Sequence, residues 1–498
     1  MRNSSLLLLL LSLSLPAGLL AQNNAGAMAA QNDQSQQDSI GAVLTLPQAV
    51  TIAIKNNLVV AQSDLNSQGY KISYDQSWEY MLPTLSASGG QQINFGRTIN
   101  SSTSNQYINS QFSTGNLGVN AGLTLFHGLE LQNNYRAQRY AYNASKMDLQ
   151  QQKDNITLSV LLAYLQVLSS RDQLALAYEQ ARTDSVTLDL TAAKGRAGAL
   201  NPVSNLTDLQ GKYASDQVNI AGAVNTLESN KVALFALLNV PYRRDVEYQN
   251  SIIATDINDY QASSDSIFQH ALGIIPSIRS AQLKVEEYRR ILSYYRGAYY
   301  PSISLNGGVS TNWTNAPGPS SFVTTGAPTY NPQTGYFSDA AGANPVYQEI
   351  ATGYNVYPKF GDQFKNNRSE YVGISVNIPI LNGFQARNNV RQAKLNLKNF
   401  ELQSTNQKNY VQQQVELAFQ NMIAAYKSLK FYQQEASAFE ESFRVTNIRF
   451  KEGVIASDAY ILAKGNSDQA EVNLAAAKYI YIFRTKVLDY YQGKLTIQ

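Results

Sequence analysis

Two stretches of the chain change period in the same way. "YVGISVNIPI", residues 371–380, alternates apolar and polar positions as a half-buried strand does. The sequence after it, "LNLKNFELQSTNQKNYVQQQVELAF", has helical spacing. The switch falls at Gly383, and a matching one falls at Gly128, in "LFHGLELQNNYRAQ". Asn133 and Asn134 align with Asn388 and Asn389, and Arg136 with Arg391, all at an offset of 255. The chain is therefore a tandem repeat, and Gly128 and Gly383 are its repeat-start turns.

The helices after these glycines keep one seam in register. Ile156, Val160, Ala163, Val167, Ser170, Leu174, Ala177 and Ala181 follow a 4-3 spacing. Adding 255 gives Val411, Val415, Ala418, Met422, Ala425, Leu429, Tyr432 and Ala436. Such a seam predicts helices packed side by side with coiled-coil geometry, so these are packing residues. The first long helix meets glycine at Gly198 in "KGRAGALNP", the second at Gly453 in "FKEGVIAS". Glycine accepts the positive φ that follows a helix end. Each helix spans 70 residues from glycine to glycine, about 105 Å at helical rise. Return helices are predicted over about 203–240 and 457–491, and shorter outgoing helices over 48–82 and 265–299. One outgoing and one return helix together match the length of one long helix. This predicts a double-layered wall in which two short helices stack end to end beside each continuous one.

Four strands are predicted, at about 84–96, 115–126, 302–313 and 369–380. Pro83 and Pro301 precede the first and third, where a missing N–H does little harm. Leu117, Val119, Ala121, Leu123 and Leu125 share one face of the second strand, opposite Asn120 and Thr124. Val372, Ile374, Val376, Ile378 and Ile380 share one face of the fourth, opposite Ser375 and Asn377. Strands of about ten residues with one apolar face are the pattern of a transmembrane β-barrel. A soluble sheet packed on helices has the same alternation. Trp78, Tyr80, Phe126, Tyr299 and Tyr300 cluster at the helix–strand junctions, where an aromatic girdle would lie. Four strands cannot close a barrel, for which about eight are needed. Several chains must then share one barrel, and their helices one tube. The connection at 97–114 is short and rich in Ser and Asn. The one at 314–368 carries essentially all of the second repeat's excess length and fits an outer-surface loop.

Composition narrows the compartment. "MRNSSLLLLLLSLSLPAGLLAQ" has Arg2, an apolar run from Leu6 to Leu20 and a small residue, Ala21. Residues 1–21 read as a secretory signal peptide and 22–45 as a flexible polar leader. The first repeat is assigned to 46–240, a connecting equatorial segment to 241–264, the second repeat to 265–491 and a short tail to 492–498. No cysteine is present, which excludes disulfides and a thiolate metal site. The net charge of +3 implies neither an acidic nor a basic partner, and no nucleic acid. An enzyme would need a site, yet the two histidines, His127 and His270, join no catalytic or metal motif, and no cofactor motif is present. A coiled-coil stalk would explain the seams but not the matched strand hairpins.

The ordered set of tandem repeats, strand hairpins running into helices, "G-x-x-x-x-NN-x-R" starts and tip segments "RAGALNP" and "KEGVIAS" resembles the TolC family of bacterial outer-membrane channel proteins, over residues 46 to about 491. The resemblance implies a mainly α fold with transmembrane β. In it, four strands per chain enter a 12-stranded β-barrel shared by a homotrimer, and coiled-coil helices form a periplasmic α-barrel. It implies an exit channel in the cell outer membrane that works with a periplasmic adaptor (membrane fusion) protein and an inner-membrane transporter, passing small molecules such as drugs. The outer-membrane channel of a type I protein secretion system shares the fold. The family's adaptor contact maps to Gly198, Ala199, Leu200, Gly453, Val454 and Ile455. Members often carry an acidic ring six residues past the tip glycine. Here those positions are Ser204 and Ala459, which leaves Asp208 and Asp458 as candidate pore-entrance acids. The arginine latch of some members is Ile455 here.

Overall fold

The computed structural model describes residues 42–100, 106–197, 203–249, 260, 262–315, 321–327, 329–338, 341, 344–356 and 359–495. The signal peptide assigned to 1–21 and nearly all of the leader lie outside the described residues. The end of the stretch read as leader is built into the fold. Strand β1 (Val43–Leu44) leads to α1 (Leu46–Asn56) and α2 (Leu58–Glu79). Strands β2 (Thr84–Asn100) and β3 (Gln106–His127) follow, then α3 (Glu130–Arg196) and α4 (Val203–Leu238). Strand β4 (Glu247–Tyr248) pairs in parallel with β1. The second repeat opens with α5 (Ser264–Ile274), α6 (Pro276–Gly297) and β5 (Ser302–Thr314). Its long connection holds β6 (Ser321–Thr324), β7 (Thr329–Phe337), β8 (Pro345–Ile350), β9 (Gly353–Val356) and α7 (Phe360–Asn366). Strand β10 (Ser369–Asn377), α8 (Gln385–Lys451) and α9 (Ser457–Tyr491) complete the chain.

Both long helices have 67 residues, and the predicted seam is their buried face. Val160 and Val167 are fully buried in the first; Val415 and Leu429 are nearly so in the second. Two cores form around this seam, one joining α1, α3, α4, β1 and β4 with Tyr479 and Ile482 of α9, the other joining α5, α6, α8 and α9, so α9 enters both. The outgoing and return helices lie along each long helix: α2 and α4 on α3, α6 and α9 on α8. In addition, α3 is flanked by α6, so the two repeats share one wall.

The outgoing helices are not single rods over 48–82 and 265–299. Each breaks once, at Asn57 and at Ile275, positions 218 apart, both in an extended conformation. The chemistry of the break differs. Asn57 caps α2 by accepting from the N–H of Val59 at 2.9 Å. Ile275 precedes Pro276, which pushes it out of the helical region and then serves as the first helical residue of α6. Thr45 and Gln48 close a capping box at the start of α1. Tyr164 ties the β1–β4 pair to α3: its hydroxyl lies 2.9 Å from the carbonyl oxygen of Leu44 and 2.8 Å from that of Gln249. Burial pushes this phenol up to about 12.

The large sheet has the order β10-β5-β3-β2 and is antiparallel throughout. Two strands outrun their predicted ranges. From Gly96↔Ser110 to Asn100↔Gln106, β2 and β3 stay paired, so the connection shrinks from 97–114 to 101–105. This extension is rich in Ser, Thr and Asn, and period-two apolar patterning is silent there even though Thr, Ile and Tyr favour strands. Conversely, β10 stops at Asn377, leaving Ile378 and Ile380 exposed beyond it. The connection at 314–368 is not structureless: it holds four short strands in the pairs β6–β9 and β7–β8, and a helix.

Candidate functional site

Register places the apolar residues of the sheet on one face. Val119 pairs with Ala87 and Val309, Leu305 with Leu123 and Ile374, and Val372 with Gly307. The other face carries Asn120, Thr124, Ser304, Asn306 and Ser375, with Asn306 donating to Ser304 and Ser375 at 3.2 and 3.3 Å. In one chain most of both faces lies bare, Val372 being 83% exposed, while residues 360–367 cover the end of the apolar face around Thr311 and Trp313. Among the described residues, the outer edges of β2 and β10 have no strand partner. Trp78, Tyr80, Tyr299 and Tyr300 are exposed at the junctions, as an interfacial girdle requires.

At these junctions the strand-to-helix turn takes two successive left-handed residues. Gly128 and Gly383 have φ of 55° and 61°, and the following Leu129 and Phe384 have 63° and 60°. The first turn is tightly covered. A Cβ on Gly128 would lie 2.1 Å from the carbonyl oxygen of Gly297, at the end of α6. Around Gly383, a Cβ would meet nothing within 4 Å in the described chain.

The other end of α8 closes on Gly453, with φ of 76°. The N–H of Gly453 donates to the carbonyl oxygen of Phe450 at 3.0 Å and that of Val454 to Arg449 at 2.9 Å. This pair of bonds is the Schellman motif, which satisfies carbonyls left over at a helix end. Val454 projects into solvent and Ile455 is half-buried. Of the predicted docking set, Gly198, Ala199 and Leu200 lie outside the described residues. Asp208 and Asp458 are described, and they have different settings. The Oδ2 of Asp208 accepts from Ser457 Oγ at 2.8 Å, and Asn205 Oδ1 accepts from the Ser457 N–H at 3.2 Å. These bonds join the starts of α4 and α9. Asp458 is exposed and accepts from the N–H of Ala459 at 2.8 Å, in the first turn of α9, where a negative charge suits the helix dipole.

Sequence reasoning missed a buried ionic cluster just beyond the tips. Lys212 Nζ lies 2.5 Å from Asp216, 3.4 Å from Asp184 and 3.8 Å from Asp468. Lys464, 3% exposed, pairs with Asp468, and the hydroxyl of Tyr460 donates to Asp184 at 3.3 Å. Three carboxylates thus face two lysines between α3, α4 and α9. Burial, then a hydrogen bond with Asp216, raise Asp184 to about 6. Folding therefore strengthens proton binding at Asp184, and the cluster gains stability as pH falls through 6 towards the unfolded value, and loses it as pH rises. Wild type should have a higher unfolding temperature at pH 5.5 than at pH 7.5, with the difference shrinking in Asp184→Asn. Circular dichroism melts at the two pH values check this, and an unchanged difference in the variant would contradict it.

Among the described residues, no group of acidic and histidine side chains is arranged to hold a metal, and no helix is long and apolar enough to cross a membrane. What the geometry defines is an open four-stranded sheet with one apolar face, joined to two long helices of equal length. That is the class of a channel subunit. The sequence pattern of the outer membrane efflux protein family matches residues 49–240 and 267–482, and the chain belongs to that family. Solved structures show the same fold. CusC aligns with a TM-score of 0.70 and 16% identity over 92% of this chain and 94% of its own. The Campylobacter jejuni CmeC outer membrane channel aligns at 0.65 and 16%, over 90% and 86%. The open state of the Neisseria gonorrhoeae MtrE outer membrane channel aligns at 0.63 and 20%, over 94% and 95%. A comparison with curated protein sequences finds no match.

Proposed function

We propose that three copies of the chain form an outer-membrane exit channel for small molecules, docked at its helical tips onto a periplasmic adaptor that links it to an inner-membrane transporter. The observation that carries this reading is the open sheet β10-β5-β3-β2, apolar on one face and polar on the other, whose two edges have no strand partner among the described residues. Pairing β2 of one copy with β10 of the next would bring three sheets to twelve strands, above the closure minimum of about eight. The apolar face then meets lipid and the Asn- and Ser-rich face lines the lumen. The 67-residue helices, about 100 Å long, would extend from the barrel into the periplasm. The connection at 314–368 then lies outside the cell. Gly198, Ala199, Leu200, Gly453, Val454 and Ile455 would form the docking surface, with Asp208 and Asp458 at the pore entrance.

The test is Gly453→Glu. A side chain there must adopt a positive φ, at a cost of about 1 kcal/mol, and it places a charge beside exposed Val454. Drug export should fall at least tenfold, while heat-resistant trimer in the outer-membrane fraction stays at the wild-type amount. Normal export would remove the tip from the mechanism. A purified species of one chain, or of an even number of chains, would sink the trimer.

A further inference from the structure

Helix α7 has a place that the channel reading does not explain. Hydrogen bonds fix it to the end of β5. Gln363 donates to the carbonyl oxygen of Thr314 and accepts from its N–H, both at 2.9 Å. Asn367 donates to the carbonyl oxygen of Asn312 at 2.8 Å, and Thr311 to that of Phe364 at 2.7 Å. Phe360 stands edge-on to Trp313 with ring centres 5.2 Å apart. Thr311 and Trp313 continue the apolar face of β5 above Val309, so α7 lies over the face that points to lipid, outside the lumen.

The depth of this helix follows from strand geometry. Trp313 is ten residues above Ile303, which is about 34 Å along the strand, or roughly 26 Å of membrane height at a tilt near 40°. That is the full height of an apolar band, so Trp313, Phe360 and Phe364 sit at the outer interface. Between α7 and the sheet runs a groove of about 730 Å³. Its floor is Leu117, Val119 and Val309, and its rim carries Lys365 and Arg368. Two acidic residues lie nearby. Glu370 stands in register with Val309 on the apolar face and is paired with Arg368. Asp362 lies in the first turn of α7. Among the described residues Lys365 has no acidic partner, and it is exposed at the groove's rim.

We propose that this groove is a binding site for the phosphorylated, multi-acylated lipid of the outer leaflet. Lys365 and Arg368 meet its phosphate, and an acyl chain lies along Leu117, Val119 and Val309. The inference rests on the outward orientation given under the proposed function. A cationic rim over an apolar floor, at the height of the headgroups, is complementary to such a lipid at both ends. A soluble anion would leave the floor unfilled. A zwitterionic lipid would give Lys365 no net charge to answer. These hydrogen bonds hold the site preformed, which lowers the ordering cost of binding.

The test uses the full-length trimer extracted in mild detergent, with bis-phosphorylated hexa-acyl lipid A and phosphatidylglycerol as probes, and native mass spectrometry as the readout. Wild type should retain lipid A in preference to phosphatidylglycerol. Lys365→Glu should weaken that retention roughly tenfold by reversing one charge at the phosphate. Lys427→Glu, the same change on an exposed position of α8, should leave it unaltered. Equal retention of the two lipids by wild type, or undiminished lipid A on Lys365→Glu, would overturn the site. Since the chain has no cysteine, Thr324→Cys gives a single thiol on the same connection. A membrane-impermeant maleimide should label it on intact cells. Labelling only after lysis would overturn the orientation and the lipid site together, whereas labelling on intact cells with no lipid preference would remove the lipid site alone.

Discussion

Lys464→Met should lower the stability of the helical part by about 3–5 kcal/mol, the usual cost of breaking a buried ion pair from one side. Lys464 is 3% exposed, and its ammonium group faces Asp468 and lies 5.6 Å from the centre of the Phe443 ring. Removing it leaves Asp184, Asp216 and Asp468 with Lys212 alone. One oxygen of each of these carboxylates already lacks a hydrogen-bond partner within the protein, so the cluster has no spare donors to reassign. Urea unfolding of the detergent-solubilised protein, followed by circular dichroism, measures the loss. Lys464→Met/Asp468→Leu should recover most of it, because a well-packed apolar pair often replaces a buried ion pair at little cost. A single variant within 1 kcal/mol of wild type would show that water reaches the cluster and screens it.

Gly297→Ala should be destabilising even though alanine is the better helix former by about 1 kcal/mol. Gly297 ends α6, and a Cβ there would lie 2.3 Å from Cγ of Glu130 and 2.8 Å from the backbone oxygen of Gly128. Moving Glu130 is cheap only in part, since that side chain is nearly buried, and the oxygen belongs to a turn with two positive φ angles. Overpacking of this kind costs about 1–3 kcal/mol and outweighs the propensity gain. Gly128→Ala should cost more, because it adds the left-handed penalty to a 2.1 Å clash with the Gly297 carbonyl. The yield of folded protein in the membrane fraction and the melting temperature should rank wild type above Gly297→Ala and Gly297→Ala above Gly128→Ala. A Gly297→Ala protein more stable than wild type would mean that the contact between the two glycines is loose.

Much of the fold was legible because the repeat was read as one signal given twice. The 4-3 seam of Val160 and Val415 predicted the buried face, since periodicity depends on which residues face a neighbour and not on which neighbour it is. The breaks at Asn57 and Ile275 were also written in the sequence, as a capping Asn and as Pro276. Continuous apolar spacing on either side hid them. The upper parts of β2 and β3 were silent because their many Ser, Thr and Asn residues leave no run of alternating apolar positions. The ionic cluster was illegible for another reason. Lys212 with Asp216 and Lys464 with Asp468 look like ordinary surface pairs four residues apart. Their burial is decided by the packing of three helices, one of them more than 240 residues further along the chain. The candidate docking residues were named from resemblance, and half of that set lies outside the described residues.

The two strand-to-helix elbows have the same backbone angles but different surroundings, and the difference matters mechanically. Each elbow is the fulcrum of a beam about 100 Å long. At such a length, a rotation of ~5° at one end sweeps the other through ~9 Å, wider than a hydrated ion. The fulcrum at Gly128 is clamped by Gly297, whereas within the chain the one at Gly383 has open space around it. Of the two beams, α8 is the one whose leverage is not clamped from inside its own subunit, and it is the one that ends at Gly453.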